Sequence, residues 1–187
     1  MNTRPNFAST NPIELRLTDI SQLFDTLDPF PFPERDLDKD VEEFIVGWAR
    51  ELPRDHPLDI VVHVPASEIK MHNGKDIGAA MSRYFEYRAS VIGRDLKELF
   101  RVGRLSLVIG LTVLGLTLTA TQVIAGRISA TPVGRFLEES LIIVGWVANW
   151  RPIEIFLYDW WPIVRRRNLY RRLAAASIEL KASANGR

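Results

Sequence analysis

The chain has no cysteine, which excludes a disulfide framework, a thiolate metal site and a cysteine nucleophile. Its three histidines, His56, His63 and His72, match no metal-ligand spacing. It has almost no net charge, with 24 Lys and Arg against 23 Asp and Glu. That balance excludes a nucleic-acid binder defined by bulk charge. A phosphate-binding glycine loop, a dinucleotide glycine fingerprint, a nucleophile elbow and a zinc-protease helix are all missing from the sequence. The expectation is a protein that is not an enzyme and takes no cofactor, metal, nucleic acid or small-molecule substrate.

The balanced charges are unevenly placed. None falls in residues 105–125, LSLVIGLTVLGLTLTATQVIA, a run of 21. As a helix rising about 1.5 Å per residue it extends roughly 32 Å, enough to cross a hydrocarbon core of about 30 Å. Its threonines can bond back to their own helix carbonyls. The mostly polar residues that precede it set it apart from a signal peptide. This run reads as a first transmembrane helix.

A second candidate, residues 137–163, is less clean. It carries Glu138, Glu139, Arg151, Glu154 and Asp159, with Pro152 inside, and each central charge would cost on the order of 2.5–3.5 kcal/mol. Residues 141–148 and 153–158 are nonetheless strongly apolar, and Trp146, Trp150, Tyr158, Trp160 and Trp161 suit a water–lipid boundary. The stretch reads as a second span, kinked near Pro152 because proline withholds a donor.

Charge bias chooses the topology. Arg88, Arg94, Lys97, Arg101 and Arg104 precede the first span, and Arg165, Arg166, Arg167, Arg171 and Arg172 follow the second. The connecting loop, 126–136, has only Arg127 and Arg135. The positive-inside rule then puts both termini in the cytoplasm and the loop outside. The basic cluster after the second span is expected to meet anionic lipid headgroups.

The remainder reads as an α+β module. Residues 1–12 lack apolar periodicity and read as a flexible tail. Residues 13–17 alternate at period two as a half-buried strand, and residues 18–27 space Ile20, Leu23, Phe24 and Leu27 as a helix. The prolines of 28–33 forbid a helix there. A second helix is expected from near Asp38 or Asp40 to Leu52, with Val41, Phe44, Ile45, Trp48 and Leu52 as its apolar set. Residues 58–64 read as a buried strand. This gives a small β-α-α-β module over 13–75 with two parallel strands. Two strands make a poor sheet, so a further strand, the following helix or a second subunit must complete it. A helical stalk follows over 76–104, with Ile77, Met81, Tyr84, Phe85, Ile92, Leu96 and Leu99 along one side, and leads into the first span. After Pro162 a basic helix is expected over 163–180, within a cytoplasmic tail of 164–187.

Three constellations invite a functional role. Asp36, Asp38 and Asp40 alternate like a calcium loop, but Val41 stands where glycine is needed and Gly47 where a bidentate glutamate belongs. The acids therefore read as caps of a helix N-terminus, with Glu34, Arg35, Asp36 and Asp38 as an alternative partner-docking loop. In the second span, Arg151, Glu154 and Tyr158 share a helix face. They can snorkel at the inner boundary, form a subunit interface or line an ion path. His56, His63 and His72 read as structural.

Two segments, LFDTLDPFPFPERDLD from Leu23 and GWVANWRPIEIFLYDWWP from Gly145, resemble paired signatures of an uncharacterised family of bacterial two-span inner-membrane proteins. The resemblance covers about residues 13–170. It implies a bacterial inner membrane and a cytoplasmic N-terminal module, and no activity. The leading expectation is an oligomeric, non-enzymatic scaffold or accessory subunit whose module binds a second copy or another membrane protein. A small oligomeric channel using Arg151, Glu154 and Tyr158 is the alternative. A metal enzyme built on Asp36, Asp38 and Asp40 ranks last.

Overall fold

The computed structural model describes residues 12–28, 35–53, 55–71, 74–128 and 131–183. Nearly all of the expected tail, the proline run, Glu34 and His72 lie outside them. The chain falls into two units, Met1–Val91 with Arg166–Arg187, and Ile92–Arg165.

The first unit is built on a three-stranded parallel sheet, ordered β1 (Ile13–Arg16), β2 (Asp59–Val64), β3 (Ser177–Ala182). β1 and β2 pair parallel, as their patterns predict. β3 corrects the expectation of one helix over 163–180. That helix ends at Ala174, and after two further alanines the residues Ser-Ile-Glu-Leu-Lys-Ala of β3 alternate at period two along β2. An available sheet edge outweighs the helical spacing that had joined Ile178 to Leu173. The strand the module lacked thus comes from its own chain, and completion by another subunit is not what closes the sheet.

β1 and β3 carry nearly the same tetrapeptide, Ile-Glu-Leu-Arg and Ile-Glu-Leu-Lys, in the same register. Ile13 and Ile178 both stand opposite Ile60, and Leu15 and Leu180 opposite Val62. Alternation sends these to one face, against helices. The other face carries Glu14, Arg16, His63, Glu179 and Lys181, with His63 Nε2 3.4 Å from Glu14.

Between β1 and β2, helix α1 spans Lys39–Glu51. Asp38 caps it, its carboxylate accepting from the Asp40 and Val41 amides at 2.9 and 3.4 Å. Its buried face is Val41, Glu42, Ile45, Val46 and Ala49. Phe44 and Trp48, expected inside, are 45% and 46% exposed and lie against each other with centroids 6.2 Å apart. Pairing of these two rings accounts for their helical spacing without burial. The helix expected over 18–27 is only a 3₁₀ turn, Ile20–Leu23, capped by Asp19. Asp25 accepts from the Leu27 amide at 2.8 Å, a local bond that competes with helix, and Phe24 bridges to Leu37. A short helix α2, Ala66–Met71, was not anticipated.

Helix α3 runs unbroken from Gly74 to Ile128 and contains both the expected stalk and the uncharged run. In the first unit it buries Ile77, Met81 and Phe85.

In the second unit α3 is followed by α4, Pro132–Ala148, which Thr131 caps through the Gly134 amide at 3.1 Å. The expected loop 126–136 is therefore mostly helix. Helix α5, Trp150–Glu154, a π-helical turn at Ile155–Asp159 and α6, Trp160–Ala174, complete the segment. Its irregularities bracket Pro152, at Asn149 and at the π turn. Two helical stretches, Gly74–Gly126 and Pro132–Ala174, are long and apolar enough to cross a membrane. Many of their apolar side chains point outward, Val108 being 62% and Val147 67% exposed.

Candidate functional site

Among the described residues of the first unit one carboxylate is buried, that of Glu42 in α1, which is 8% exposed. Burying a charge is costly unless it is paired and hydrogen-bonded, and Glu42 has three donors. Tyr84 of α3 donates to Oε2 at 2.6 Å and Tyr170 of α6 to Oε1 at 2.5 Å. Arg88 of α3 donates through Nε at 3.2 Å and forms the ion pair at 3.2 Å. Phe85 packs on both tyrosines, with centroids 5.6 and 6.2 Å away, and the guanidinium groups of Arg88 and Arg166 lie 5.9 and 5.8 Å from the Tyr170 ring centroid.

Burial alone would raise the pKa of Glu42. The hydroxyls of Tyr170 and Tyr84 and the charge of Arg88 outweigh it, and hold the carboxyl below its ordinary value. Burial and the bond to Glu42 push both phenols upward, Tyr84 most. The result is a fixed anion with both oxygens hydrogen-bonded, which suits a clasp between three helices better than a proton acceptor at neutral pH.

The second unit is held by a seam of close approaches. A methyl placed on Gly110 would lie 2.7 Å from Asn149 Oδ1 and 2.9 Å from the Ala148 carbonyl. On Gly145 it would meet Thr117 Oγ1 at 2.6 Å, and on Gly103 it would meet Ile155 at 2.8 Å. Gly103, Gly110 and Thr117 recur every seven residues, the spacing of a left-handed helix pair. Asn149 Nδ2 donates to the carbonyls of Gly110 at 3.1 Å and Gly145 at 2.9 Å. The break in the helix at Asn149 turns this amide toward α3, next to a carbonyl to which Pro152 has no N–H to offer.

Arg151 pairs with Glu154 at 3.2 Å and with Asp159 at 3.2 Å. Trp150 Nε1 donates to Glu154 at 2.9 Å. Tyr158, expected on the same face, is 68% exposed, and Asp159 takes the place beside Arg151. The π turn, which adds a residue to the helical repeat, moves Tyr158 off that face.

No protein-family model matches this chain, and no curated protein or solved structure matches it either.

The remaining candidates are distributed. Asp38 is a cap, Arg35 is half-buried, and Asp36 donates its amide to Asp28 at 2.7 Å. Partial burial and the Asp28 charge raise the Asp36 carboxyl. Among the described residues no group of three or more His, Asp or Glu is arranged to hold a metal ion. Of the basic cluster, Arg165 lies 5.6 Å from the Trp161 ring centroid, and Arg166 and Arg171 are exposed. Arg167 has a buried Nε. Arg172 donates to the carbonyls of Pro53 at 2.8 Å and His56 at 3.1 Å, so it is committed to the α1–β2 loop, away from a headgroup role. Sequence reasoning missed Glu42, Tyr170 and Asn149. Glu42 hid among six acids, although its place between Val41 and Ile45 on the inner face of the helix was a usable signal. Asn149 was one polar residue in an apolar block beside a proline, and that conjunction was the signal there.

Proposed function

We propose that this protein is a non-enzymatic scaffold or accessory subunit of a bacterial inner membrane, crossing it twice with both termini cytoplasmic and displaying its α/β module there. One observation carries this reading. β1 and β2 precede the apolar helical pair, β3 follows it, and all three share one sheet. A sheet assembled from both flanks requires both flanks on the same side of any membrane between them, which two complete crossings provide and a single one does not.

The seam supports the same reading. Thr117 faces Gly145, Gly110 faces Asn149 and Gly103 faces Ile155. In this antiparallel register Arg151, Glu154 and Asp159 are level with residues 100–110, at the inner end of the uncharged run, where Arg101 and Arg104 also lie. Charges at that depth snorkel to the headgroups at little cost. Trp160 and Trp161, stacked at 5.7 Å, fit the same boundary. The channel alternative draws less support, because the pair it needs at mid-membrane sits at the edge. With no motif chemistry on the chain, the displayed module reads as an interaction surface.

Cysteine labelling tests this directly, since the wild-type chain has no thiol. Thr131→Cys should react with an impermeant maleimide in intact cells, and Ser183→Cys only after permeabilisation. Equal labelling of both, or release of the protein by alkaline carbonate, would overturn the reading.

A further inference from the structure

The sheet carries matching tetrapeptides on its two edges, but they are not equally covered. Ile13 and Leu15 of β1 are buried, whereas Ile178 and Leu180 of β3 remain half-exposed. Ser177, Glu179, Lys181 and Ala182 are exposed. Among the described residues no strand pairs with the outer side of β3. The Ser177 and Ser183 amides donate inward, to the carbonyls of Leu58 at 3.0 Å and Val64 at 2.8 Å. Hydrogen-bonding direction alternates along a strand, so Ile178, Leu180 and Ala182 turn their N–H and C=O groups outward.

We propose that this edge docks a second copy of the chain, the two β3 strands pairing antiparallel about a two-fold axis centred on Leu180. The backbone requires outward residues to meet outward residues, and the charges then select that centre. Leu180 then faces Leu180 of the second copy, and Ile178 faces its Ala182, as hydrogen-bonded pairs that use the outward groups. Glu179 and Lys181 occupy the intervening non-hydrogen-bonded positions, where side chains approach most closely. Each Glu179 stands opposite Lys181 of the second copy, giving two unlike-charge pairs.

Other registers match the charges less well. An axis at Glu179 or Lys181 uses the same outward backbone groups but puts like charges face to face at a closely spaced, non-hydrogen-bonded position. Parallel addition of β1 from another copy in the matching register aligns Glu14 with Glu179 and Arg16 with Lys181. The Leu180-centred pairing also brings the half-exposed Leu180 side chains together. This inference names a partner for the displayed module and rests on the sheet alone.

The test is the native mass of the full-length chain in mild detergent over a concentration series. The wild type should be dimeric. Lys181→Glu and Glu179→Lys should each raise the dissociation constant about tenfold or more, because each converts both cross-strand pairs to repulsion. The double variant Glu179→Lys/Lys181→Glu restores complementarity and should restore the dimer. Ala182→Pro removes an outward N–H and nothing that bonds β2, so it should give monomers with an unchanged circular dichroism spectrum. A wild type that stays monomeric, or a dimer indifferent to all four variants, overturns the proposal. Neither outcome touches the membrane reading, which labelling decides separately.

Discussion

Tyr170 donates its hydroxyl to Glu42 at 2.5 Å, joining residues 128 positions apart in sequence. Glu42 sits in α1, before the apolar helices, and Tyr170 in α6, near the end of the second helical stretch. With Tyr84 and Arg88 of α3 the contact ties together three helices of the first unit around one charge. Tyr170→Phe removes the hydroxyl and keeps the ring, so it should cost about 1.5–3 kcal/mol, the usual worth of a hydrogen bond to a charged group. Glu42→Ala strands Arg88 and both phenols and should cost about 3–5 kcal/mol. Thermal unfolding of the full chain in detergent, followed by far-UV circular dichroism, checks both values and their order.

The same clasp fixes a pH profile. The folded-state value of Glu42 lies below the ordinary 4.5, so its stabilisation is complete above that value and is lost as pH falls through the lowered one. Tyr84 and Tyr170 lie above their ordinary 10.0. Their stabilisation is complete below 10.0 and fades as pH rises through the raised values. The melting temperature should therefore be flat from about pH 5 to 10 in its clasp-dependent part. Glu42→Gln should shrink the acid limb, and an acid limb identical to wild type would show that other carboxylates set it.

Two glycines on one helix should answer the same substitution differently. Gly110→Ala drives a methyl to 2.7 Å from the Asn149 side chain, whereas Gly115→Ala meets nothing within 4 Å. The first should destabilise by about 1–3 kcal/mol, as overpacking does. The second should be neutral or stabilising by up to about 1 kcal/mol through helix propensity. Asn149→Leu removes the bond to the Gly110 carbonyl and should cost about 0.6–2 kcal/mol. Unfolding in mixed micelles ranks the three, and equal effects at Gly110 and Gly115 would disprove the seam.

What was legible in the sequence follows from which interactions are local. The uncharged run, the stalk periodicity and the Asp38 cap are read from neighbours a few residues apart, and helices α1 and α3 stand where those signals put them. β1 and β2 were legible because alternation is also local. β3 was not, because its strand character depends on β2, which is distant in sequence. The repeated Ile-Glu-Leu-basic tetrapeptide was its visible trace. The Glu42 clasp and the Asn149 bond are long-range for the same reason, since each needs helices far apart in the chain to be brought together. Phe44 and Trp48 show the converse: their spacing was read correctly and their burial was not, because periodicity marks a shared face without saying what covers it.

The absence of native thiols makes the docking of β3 directly measurable. A Cβ on Gly78 would lie 3.6 Å from the Ile178 Cβ, close to the mean of about 3.8 Å in disulfides. Gly78→Cys/Ile178→Cys should therefore oxidise to an intramolecular bond joining α3 to β3, visible as a faster-migrating band that reductant reverses. Gly103→Cys/Ile155→Cys, also at 3.6 Å, should do the same within the helical pair, where replacing isoleucine removes the methyl that crowds Gly103. Chains truncated before α4 still carry β1, α1, β2 and the whole of α3 but have no β3. If the sheet depends on its third strand, these chains should lose protease resistance across residues 13–64, because two parallel strands bury too little to stand alone. Undiminished resistance there would mean that the two-stranded module is self-sufficient and that β3 is an addition to it.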